Sequence, residues 1–191
     1  MKKVLLILFS VFFITATGSK VSLAQSKTDT NKTKPVVRRT VSAIAVVSGN
    51  TSEGITGEVK FTRLKKGVRV SGEIYGLTPG KHGFHVHEKG ACDRPDFTSA
   101  GPHFNPSASK HGSMHSETRH AGDFGNIIAD DYGVAKFSFI DYTLSFKGDN
   151  SVIGRSVIVH EKEDDLKTDP SGNSGTRIGC GVVQLNSYKR H

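Results

Sequence analysis

The sequence predicts an all-β protein, an antiparallel sandwich or barrel, and three observations lead to that prediction. Short segments rich in Val, Ile and Phe recur along the chain, and several of them alternate apolar with polar residues. Turn signals such as SGN, KKG, TPG, DDYG and KGDN separate these segments. The 21 glycines supply tight turns and argue against long helices.

Each predicted strand is a short apolar run next to a turn signal. The run VSAIAVV precedes SGN, GEVKF precedes KKG, and VRVSGEIY precedes TPG. The run FHVH follows TPG, VAKFSFI follows DDYG, and SVIVH follows KGDN. Because Gly, Pro, Asn and Asp favour turns, these signals mark the strand ends. The predicted strands are residues 41–47, 57–61, 68–75, 84–87, 134–140 and 156–160.

Two long segments, 88–126 and 161–179, do not follow the strand pattern. Loops of that length inside a compact domain are usually functional or disordered. We therefore expect these two loops to carry the function.

The N-terminal residues predict export. Lys2 and Lys3 precede the apolar run 4–14, and small residues follow up to Ala24, which is the layout of a secretory signal. The apolar run is shorter than the roughly 20 residues that span a bilayer, so no membrane span is expected once the signal is removed. Cleavage is expected near Ala24, with a cut after Gly18 as the alternative. The protein is then periplasmic or secreted.

Three regions follow from this layout. Residues 1–24 are predicted to be the signal peptide, and residues 25–40 are a polar, basic tether without apolar periodicity. Residues 41–188 contain no second linker and are predicted to form one domain with one core.

The charge distribution argues against nucleic-acid binding. The formal net charge of +8 falls by the three lysines of the signal peptide, which contains no acid. Much of the remaining excess lies in the tether, and no cluster of Lys and Arg interleaved with aromatic residues is present on the predicted domain. Attachment of the tether to an anionic surface remains the weaker alternative.

The segment HGFHVHEKGACD suggests part of a metal site. Residues two apart in a strand project from the same face, so His85 and His87 present adjacent imidazoles while Val86 points into apolar packing. Neutral imidazoles are good ligands for copper or zinc. An ordinary half-exposed strand is the alternative for this pair. His82 is out of phase with it and is predicted to be structural or solvated.

The first long loop holds further candidate ligands. His103, His111, His120 and Asp123 would supply three imidazoles and a carboxylate, a set that zinc accepts. Their spacing matches no helix face, so they would have to converge by loop folding, and a polar loop with scattered histidines is the alternative. His160 ends the apolar run SVIVH, and by itself it would be interpreted as a strand-end residue.

Six motifs taken in order resemble those of the copper,zinc superoxide dismutases. They are GKHGFHVHEKGAC, SAGPHFNP, KHG, RHAGDFGN, IGRSVIVHEKEDDL and GNSGTRIGCGV. The resemblance covers residues 41–185. It implies an eight-stranded antiparallel Greek-key barrel with a metal-binding loop and a second, charge-bearing loop over the site.

The resemblance also implies the site residues and cofactors. One copper and one zinc would bind per subunit, with His103 bridging them. Asp164 would link a copper histidine to a zinc histidine, and Arg177 would guide the anionic substrate. A disulfide would join Cys92 to Cys180. His115 matches no ligand. The implied copper ligands are His85, His87, His103 and His160, and the implied zinc ligands are His103, His111, His120 and Asp123.

The activity implied is the conversion of superoxide to dioxygen and hydrogen peroxide by alternating Cu(II) and Cu(I). In this scheme His103 and Arg177 are the catalytic residues, and the protein protects the extracytoplasmic space from oxidative damage. The alternative is a non-enzymatic copper- or zinc-binding protein of the same fold. The resemblance allows a homodimer, but the segment from Cys92 to His103 is longer than in relatives that use it for subunit contacts. The loop between Asp164 and Arg177 is also shorter than in the eukaryotic enzymes, and it lacks their charge-guiding lysine.

Overall fold

The strands form a closed antiparallel barrel. The computed structural model describes residues 41–51 and 54–186, so the predicted signal peptide 1–24 and tether 25–40 lie outside the described residues. The strands are β1 Ser42–Gly49, β2 Thr56–Arg63, β3 Val68–Tyr75, β4 Gly80–His87, β5 Asp123–Ala129, β6 Ala135–Asp141, β7 Ser156–His160, β8 Arg177–Val182 and β9 Gln184–Leu185. A 3₁₀ turn, Thr98–Ala100, lies in the connection between β4 and β5.

The strand order confirms the predicted fold class. Around the barrel the order is β1, β2, β3, β6, β5, β4, β7, β8, and β8 pairs back to β1 through Ser48 and Cys180. The two-residue β9 follows β8 after one unpaired residue and pairs with the start of β1. The exchange of β4 and β6 between sequence order and spatial order is the Greek-key crossover. Full closure removes the free edges that an open sheet would have.

Three strands were missed by the sequence prediction: the two-residue β9, and β5 and β8, which both begin inside segments that were predicted to be loops. β5 starts at Asp123 and β8 starts at Arg177. Glycine in a strand weakens the apolar pattern and often marks close backbone approach. A Cβ on Gly181 would lie 2.7 Å from the carbonyl oxygen of Val46, so β8 requires glycine where it packs on β1.

Alternation along β4 separates the core from the site. Phe84 and Val86 are fully buried in the barrel core, and Phe84 packs against the rings of Phe124 and Phe137 at centroid distances of 5.6 and 5.0 Å. The intervening His85 and His87 therefore point out of the barrel. They are nevertheless buried, because the two long connections cover this face. The core thus fixes the direction of two candidate ligands.

The barrel has one weakly paired seam, between β5 and β6. In the described residues these strands share the single register pair Ala129 and Ala135. Arg119 closes the splayed end of the seam: its guanidinium donates to Asp141 at 2.5 Å and to Thr143 at 3.0 Å on the β6 side. The same side chain donates to the carbonyl oxygens of His120, Ala121 and Asp123 at the start of β5. We refer to this set of contacts as the Arg119 clamp.

Within residues 41–51 and 54–186, the structure contains no helix long and apolar enough to cross a membrane.

Candidate metal centre

One group of four buried histidines meets on the outer face of the barrel. Strand β4 supplies two of them, β7 supplies its last residue, and the long connection after β4 supplies the fourth. One ring nitrogen from each lies within 4.8 Å of the others. The four residues are His85, His87, His103 and His160, the set that the sequence resemblance implied for copper.

The chemistry of this group fits a metal ion. Four buried ring nitrogens have no hydrogen-bond partner, and each belongs to a different histidine of the group: His85 Nδ1, His87 Nε2, His103 Nε2 and His160 Nε2. Buried polar atoms are nearly always hydrogen-bonded, so four unpartnered atoms at one point call for an explanation. Neutral imidazole nitrogen is a good copper ligand, and a bound ion would satisfy all four atoms.

A second group shares His103 with the first. His103, His111, His120 and Asp123 also place ligand atoms within 4.8 Å of one another, and all four are buried. Asp123 Oδ1 lies 2.8 Å from His103 Nδ1, 3.1 Å from His111 Nδ1 and 3.2 Å from His120 Nδ1. Three imidazoles and one carboxylate match the ligand number and types of a closed zinc site. The two groups therefore meet at one imidazole, whose Nε2 faces the first and Nδ1 the second.

Asp164 links the two groups by contacting one histidine of each. Its carboxylate lies 2.8 Å from His85 Nε2 and 2.9 Å from His111 Nε2, so one side chain orients a ring in each group. Asn126 in turn fixes Asp164. The Asn126 amide donates to the carbonyl oxygen of Asp164 at 2.9 Å, and the Asp164 N–H donates to Asn126 Oδ1 at 2.8 Å.

Burial keeps the first group of imidazoles neutral. It lowers the pKa of His87 and His160 well below the usual range and lowers that of His103 to about 4. It also lowers the pKa of His85, although the hydrogen bond with Asp164 acts in the opposite direction. Metal binds the neutral form of an imidazole ring. These four histidines can therefore bind a metal ion near neutral pH without first releasing a proton.

In the second group, hydrogen bonds between histidines and carboxylates set the charge of each side chain. Burial alone would lower the pKa of His111, but hydrogen bonds with Asp123 and Asp164 outweigh it and raise the pKa to about 10. Burial would raise the pKa of both carboxyl groups, and hydrogen bonds with the histidines lower it below the usual range instead. Both carboxylates are therefore ionised and suited to a cation.

Arg177 lies at the start of β8, half-buried. Its guanidinium donates from Nη1 to the carbonyl oxygen of Phe97 at 2.7 Å and from Nη2 to that of Gly101 at 2.8 Å. The same carbonyl oxygen of Gly101 accepts a hydrogen bond from His87 Nδ1 at 2.8 Å. Burial lowers the pKa of Arg177 below its usual range, and the charge of Asp96 opposes that shift. Even with this lowered pKa, the Arg177 guanidinium remains positively charged near neutral pH and can attract a small anion.

The predicted disulfide between Cys92 and Cys180 is present, and it joins the connection after β4 to β8 across 88 positions of sequence. In the chain-entropy model a loop of this length corresponds to about 4 to 5 kcal/mol of stabilisation.

His82 and His115 belong to neither group. His82 lies within β4 and is buried, with Nδ1 2.8 Å from the carbonyl oxygen of His160 and Nε2 2.8 Å from that of Thr78. Of the two roles predicted for it, the structural one is therefore correct. His115 is exposed.

Sequence reasoning did not identify the residues that support the site: Asn126, Arg119 and Phe97. Asn126 bonds the main chain of Asp164, Arg119 joins the start of β5 to side chains on the β6 side, and Phe97 presents its carbonyl oxygen to Arg177. No spacing in the sequence signals such contacts, and a Phe among polar loop residues was the one available hint.

Comparison with known proteins agrees with this geometry. The family model for Copper/zinc superoxide dismutase (SODC) matches residues 55–183. The chain is 44% identical over 188 residues to a Superoxide dismutase [Cu-Zn] of Paramecium bursaria Chlorella virus 1, covering 94% of this chain and 91% of that one. It is 40% identical over 189 residues to an Extracellular superoxide dismutase [Cu-Zn] of Brugia pahangi, covering 93% and 94%.

A solved structure is similar as well. The clock protein EA4 is 42% identical, aligns with a TM-score of 0.70 and covers 75% of this chain and 94% of its own. Since the family model matches well over half of the chain and both relatives align over nearly all of it, this protein belongs to the copper/zinc superoxide dismutases.

Proposed function

We propose that this chain disproportionates superoxide, with copper held by His85, His87, His103 and His160 and zinc held by His103, His111, His120 and Asp123. One observation carries the proposal: four unpartnered, buried ring nitrogens converge at a point that shares His103 with a buried three-histidine, one-aspartate group. Structural reasons alone would not collect so many unsatisfied polar atoms.

The residues of the chain then have separate roles. Copper supplies the one-electron redox chemistry, and zinc, which does not change oxidation state, fixes the loop and the shared imidazole. Arg177 attracts the superoxide anion toward the four-histidine group through its positive charge. Two superoxide ions and two protons yield dioxygen and hydrogen peroxide. Asp164 keeps the rings of His85 and His111 oriented throughout.

Metal analysis together with a superoxide assay tests the assignment. The mature protein should bind one copper and one zinc and disproportionate superoxide. His160→Ala should lose copper while keeping zinc, because His160 belongs to the first group alone. His115→Ala is the matched control, since this exposed histidine lies in neither group.

Two results would contradict the proposal. A fully metallated protein without dismutase activity would favour the non-enzymatic metal-binding alternative. Full copper occupancy and activity in His160→Ala would show that the copper ligands are assigned wrongly.

We further propose that residues 1–24 direct export and that the protein acts in the periplasm or outside the cell. The disulfide supports this, because disulfides persist in oxidising compartments. The Brugia pahangi relative named as extracellular supports it too. N-terminal sequencing of the protein recovered from periplasmic and medium fractions distinguishes the two locations, and recovery of uncleaved protein in the cytoplasm would contradict both.

A homodimer is the assembly we propose. A hollow of about 460 Å³ is lined by β1 and the C-terminal strands. At its rim the side chains of Val46 and Leu185 are 70% and 54% exposed. Contiguous exposed apolar surface is typical of subunit contacts. Sedimentation should give a dimer for the wild type and a monomer for Val46→Glu; a monomeric wild type would contradict the proposal.

A further inference from the structure

Arg177 is held by one short turn of the long connection after β4. The two carbonyl oxygens that accept from its guanidinium belong to Phe97 and Gly101, which flank the 3₁₀ turn Thr98–Ala100. Both residues have a positive φ, 57° for Phe97 and 74° for Gly101. The two ends of this turn therefore aim both carbonyl oxygens at one guanidinium.

A positive φ is ordinary for Gly101 but unfavourable for a bulky residue such as Phe97. Such outliers persist where surrounding structure enforces them, and they cluster at functional sites. The enforcement here is visible. The side chain of Phe97 is 1% exposed and packs in a small apolar cluster with Ala100, Ile158 and Cys180.

This cluster packs the turn against the strand that carries Arg177. Ile158 lies on β7 and Cys180 on β8, where the two are register partners, and β8 begins at Arg177. The Phe97 ring is thus seated on the same pair of strands as the arginine. The Gly101 carbonyl oxygen also accepts from His87, so the turn sets the arginine relative to the four-histidine group.

The turn is closed by its own hydrogen bonds. The Phe97 N–H donates to the carbonyl oxygen of Asp93 at 3.0 Å, and the Ala100 N–H donates to that of Phe97 at 3.1 Å. The Asp93 N–H donates to Ser99 Oγ at 2.9 Å. Cys92, on the N-terminal side of the turn, packs against the same apolar cluster as the Phe97 ring.

We infer that Phe97 is a positioning residue for Arg177, acting through the apolar cluster that seats its turn on β7 and β8. The inference rests on the proposed role of Arg177 as the residue that attracts the anion. Loss of the Phe97 ring frees the turn from β7 and β8, so the two carbonyl oxygens no longer fix the guanidinium.

Azide binding to the copper(II)- and zinc-loaded protein tests the inference without using turnover. Azide is a small anion that ligates copper, and its affinity is measured by visible absorption at equal copper content. Arg177→Ala should weaken azide binding about tenfold, the effect of losing one charge-assisted interaction. Phe97→Ala should weaken it several-fold, whereas Phe97→Leu, which keeps an apolar anchor, should remain close to the wild type.

A double-mutant cycle separates positioning from general destabilisation. If Phe97 acts through Arg177, Phe97→Ala should have no further effect in the Arg177→Ala background. If Phe97→Ala does not yield folded holoprotein, Phe97→Val serves in its place, since a shorter β-branched side chain is poorly suited to a positive φ.

The outcomes are distinct. Unchanged azide affinity in Arg177→Ala would overturn the proposed role of Arg177 and the inference with it. A weakened Arg177→Ala with an unchanged Phe97→Ala would overturn the inference alone. Equal effects of Phe97→Ala in both backgrounds would also overturn it.

Discussion

At the scale of single residues, Asp164 serves two metal groups with one carboxylate. Its two oxygens contact His85 and His111, and Asn126 holds its main chain on both sides. Partners that orient ligands in this way matter nearly as much as the ligands themselves. We therefore expect changes at Asp164 to affect copper and zinc together.

Asp164→Asn should weaken both copper and zinc binding, each by about 10- to 100-fold, because the replaced oxygen can no longer orient both rings as an ionised acceptor. Competition titration with chelators measures both affinities. Asp165→Asn is the matched control, since this exposed neighbour contacts neither metal group. Loss of one metal alone in Asp164→Asn would show that the carboxylate serves a single group.

The metal-free protein should lose stability as the pH falls from about 6.5 toward 4. Burial lowers the folded-state pKa of His87, His103 and His160, so the unfolded chain takes up more protons than the folded chain in this window. For His103, with a pKa of about 4, the loss is on the order of 3 kcal/mol. The raised pKa of His111 does not offset this, because its contribution is constant below the unfolded pKa and fades only as pH rises toward 10.

Urea unfolding of the apoprotein at several pH values measures that slope. The copper- and zinc-loaded protein is the control, because its ligands are held in the neutral form by metal until the metal is released. A flat stability curve for the apoprotein between pH 6.5 and 4 would contradict the prediction.

Part of the site could be predicted from single residues and part could not. Strand parity alone put His85 and His87 on one face. The meeting of His103, His111 and His160 required the motif resemblance, because residues so far apart in the sequence give no local signal of contact. Phe97 and Asn126 escaped prediction since their roles consist of presenting or fixing main-chain atoms, which any residue type carries.

At the scale of elements, the Arg119 clamp compensates for the sparse pairing of β5 and β6. It joins the residues just before β5 to Asp141 and Thr143 at the end of β6. Asp141 also accepts from the N–H groups of Thr143 and Leu144 at 2.8 and 2.7 Å. A buried carboxylate with this many partners is costly to leave without its cation.

Arg119→Leu should therefore destabilise the protein by about 3 to 5 kcal/mol, because it leaves the Asp141 charge buried and uncompensated. Arg119→Lys keeps the charge but not the fork of donors, so it should cost less. Urea unfolding of the metal-free forms measures both. Equal losses for the two variants would mean that the geometry of the fork, rather than the charge, stabilises the seam.

Element prediction succeeded where apolar residues dominate and failed where glycine does. The runs that became β1, β3, β6 and β7 were recognised from Val, Ile and Phe, whereas β8 carries two glycines in RIGCGV because it packs closely on β1. The start of β5 was hidden because Asp123 and Asn126, which serve the site, interrupt its apolar pattern.

At the scale of the whole molecule, the exposed acid Asp96 contributes to the electrostatics near the site. Asp96 is exposed, and its charge acts on Arg177 strongly enough to oppose the burial effect on the arginine's pKa. A negative charge beside an anion-attracting arginine reduces the local positive potential. If Arg177 attracts superoxide as proposed, we expect the segment that supplies Phe97 also to supply a charge that opposes superoxide approach.

Asp96→Asn should raise the bimolecular rate with superoxide at low ionic strength, and the gain should shrink as salt is added, because salt screens exposed charges. Pulse radiolysis across a salt series measures this. Asp149→Asn is the control: it removes an exposed acid that does not act on the Arg177 pKa. A lower rate in Asp96→Asn would indicate that the hydrogen bonds of Asp96 with Thr98 matter more than its charge.

The single register pair between β5 and β6 has a consequence for the association of damaged molecules of this protein. A closed barrel offers no strand edge to a neighbour, but this seam becomes two edges as soon as the Arg119 clamp opens. Arg119 donates to the carbonyl oxygen of His120, a proposed zinc ligand, so we expect the clamp to hold less firmly in a molecule that has not received zinc. Incompletely metallated chains would then associate edge to edge through β5 and β6, and zinc delivery would act as a safeguard against aggregation.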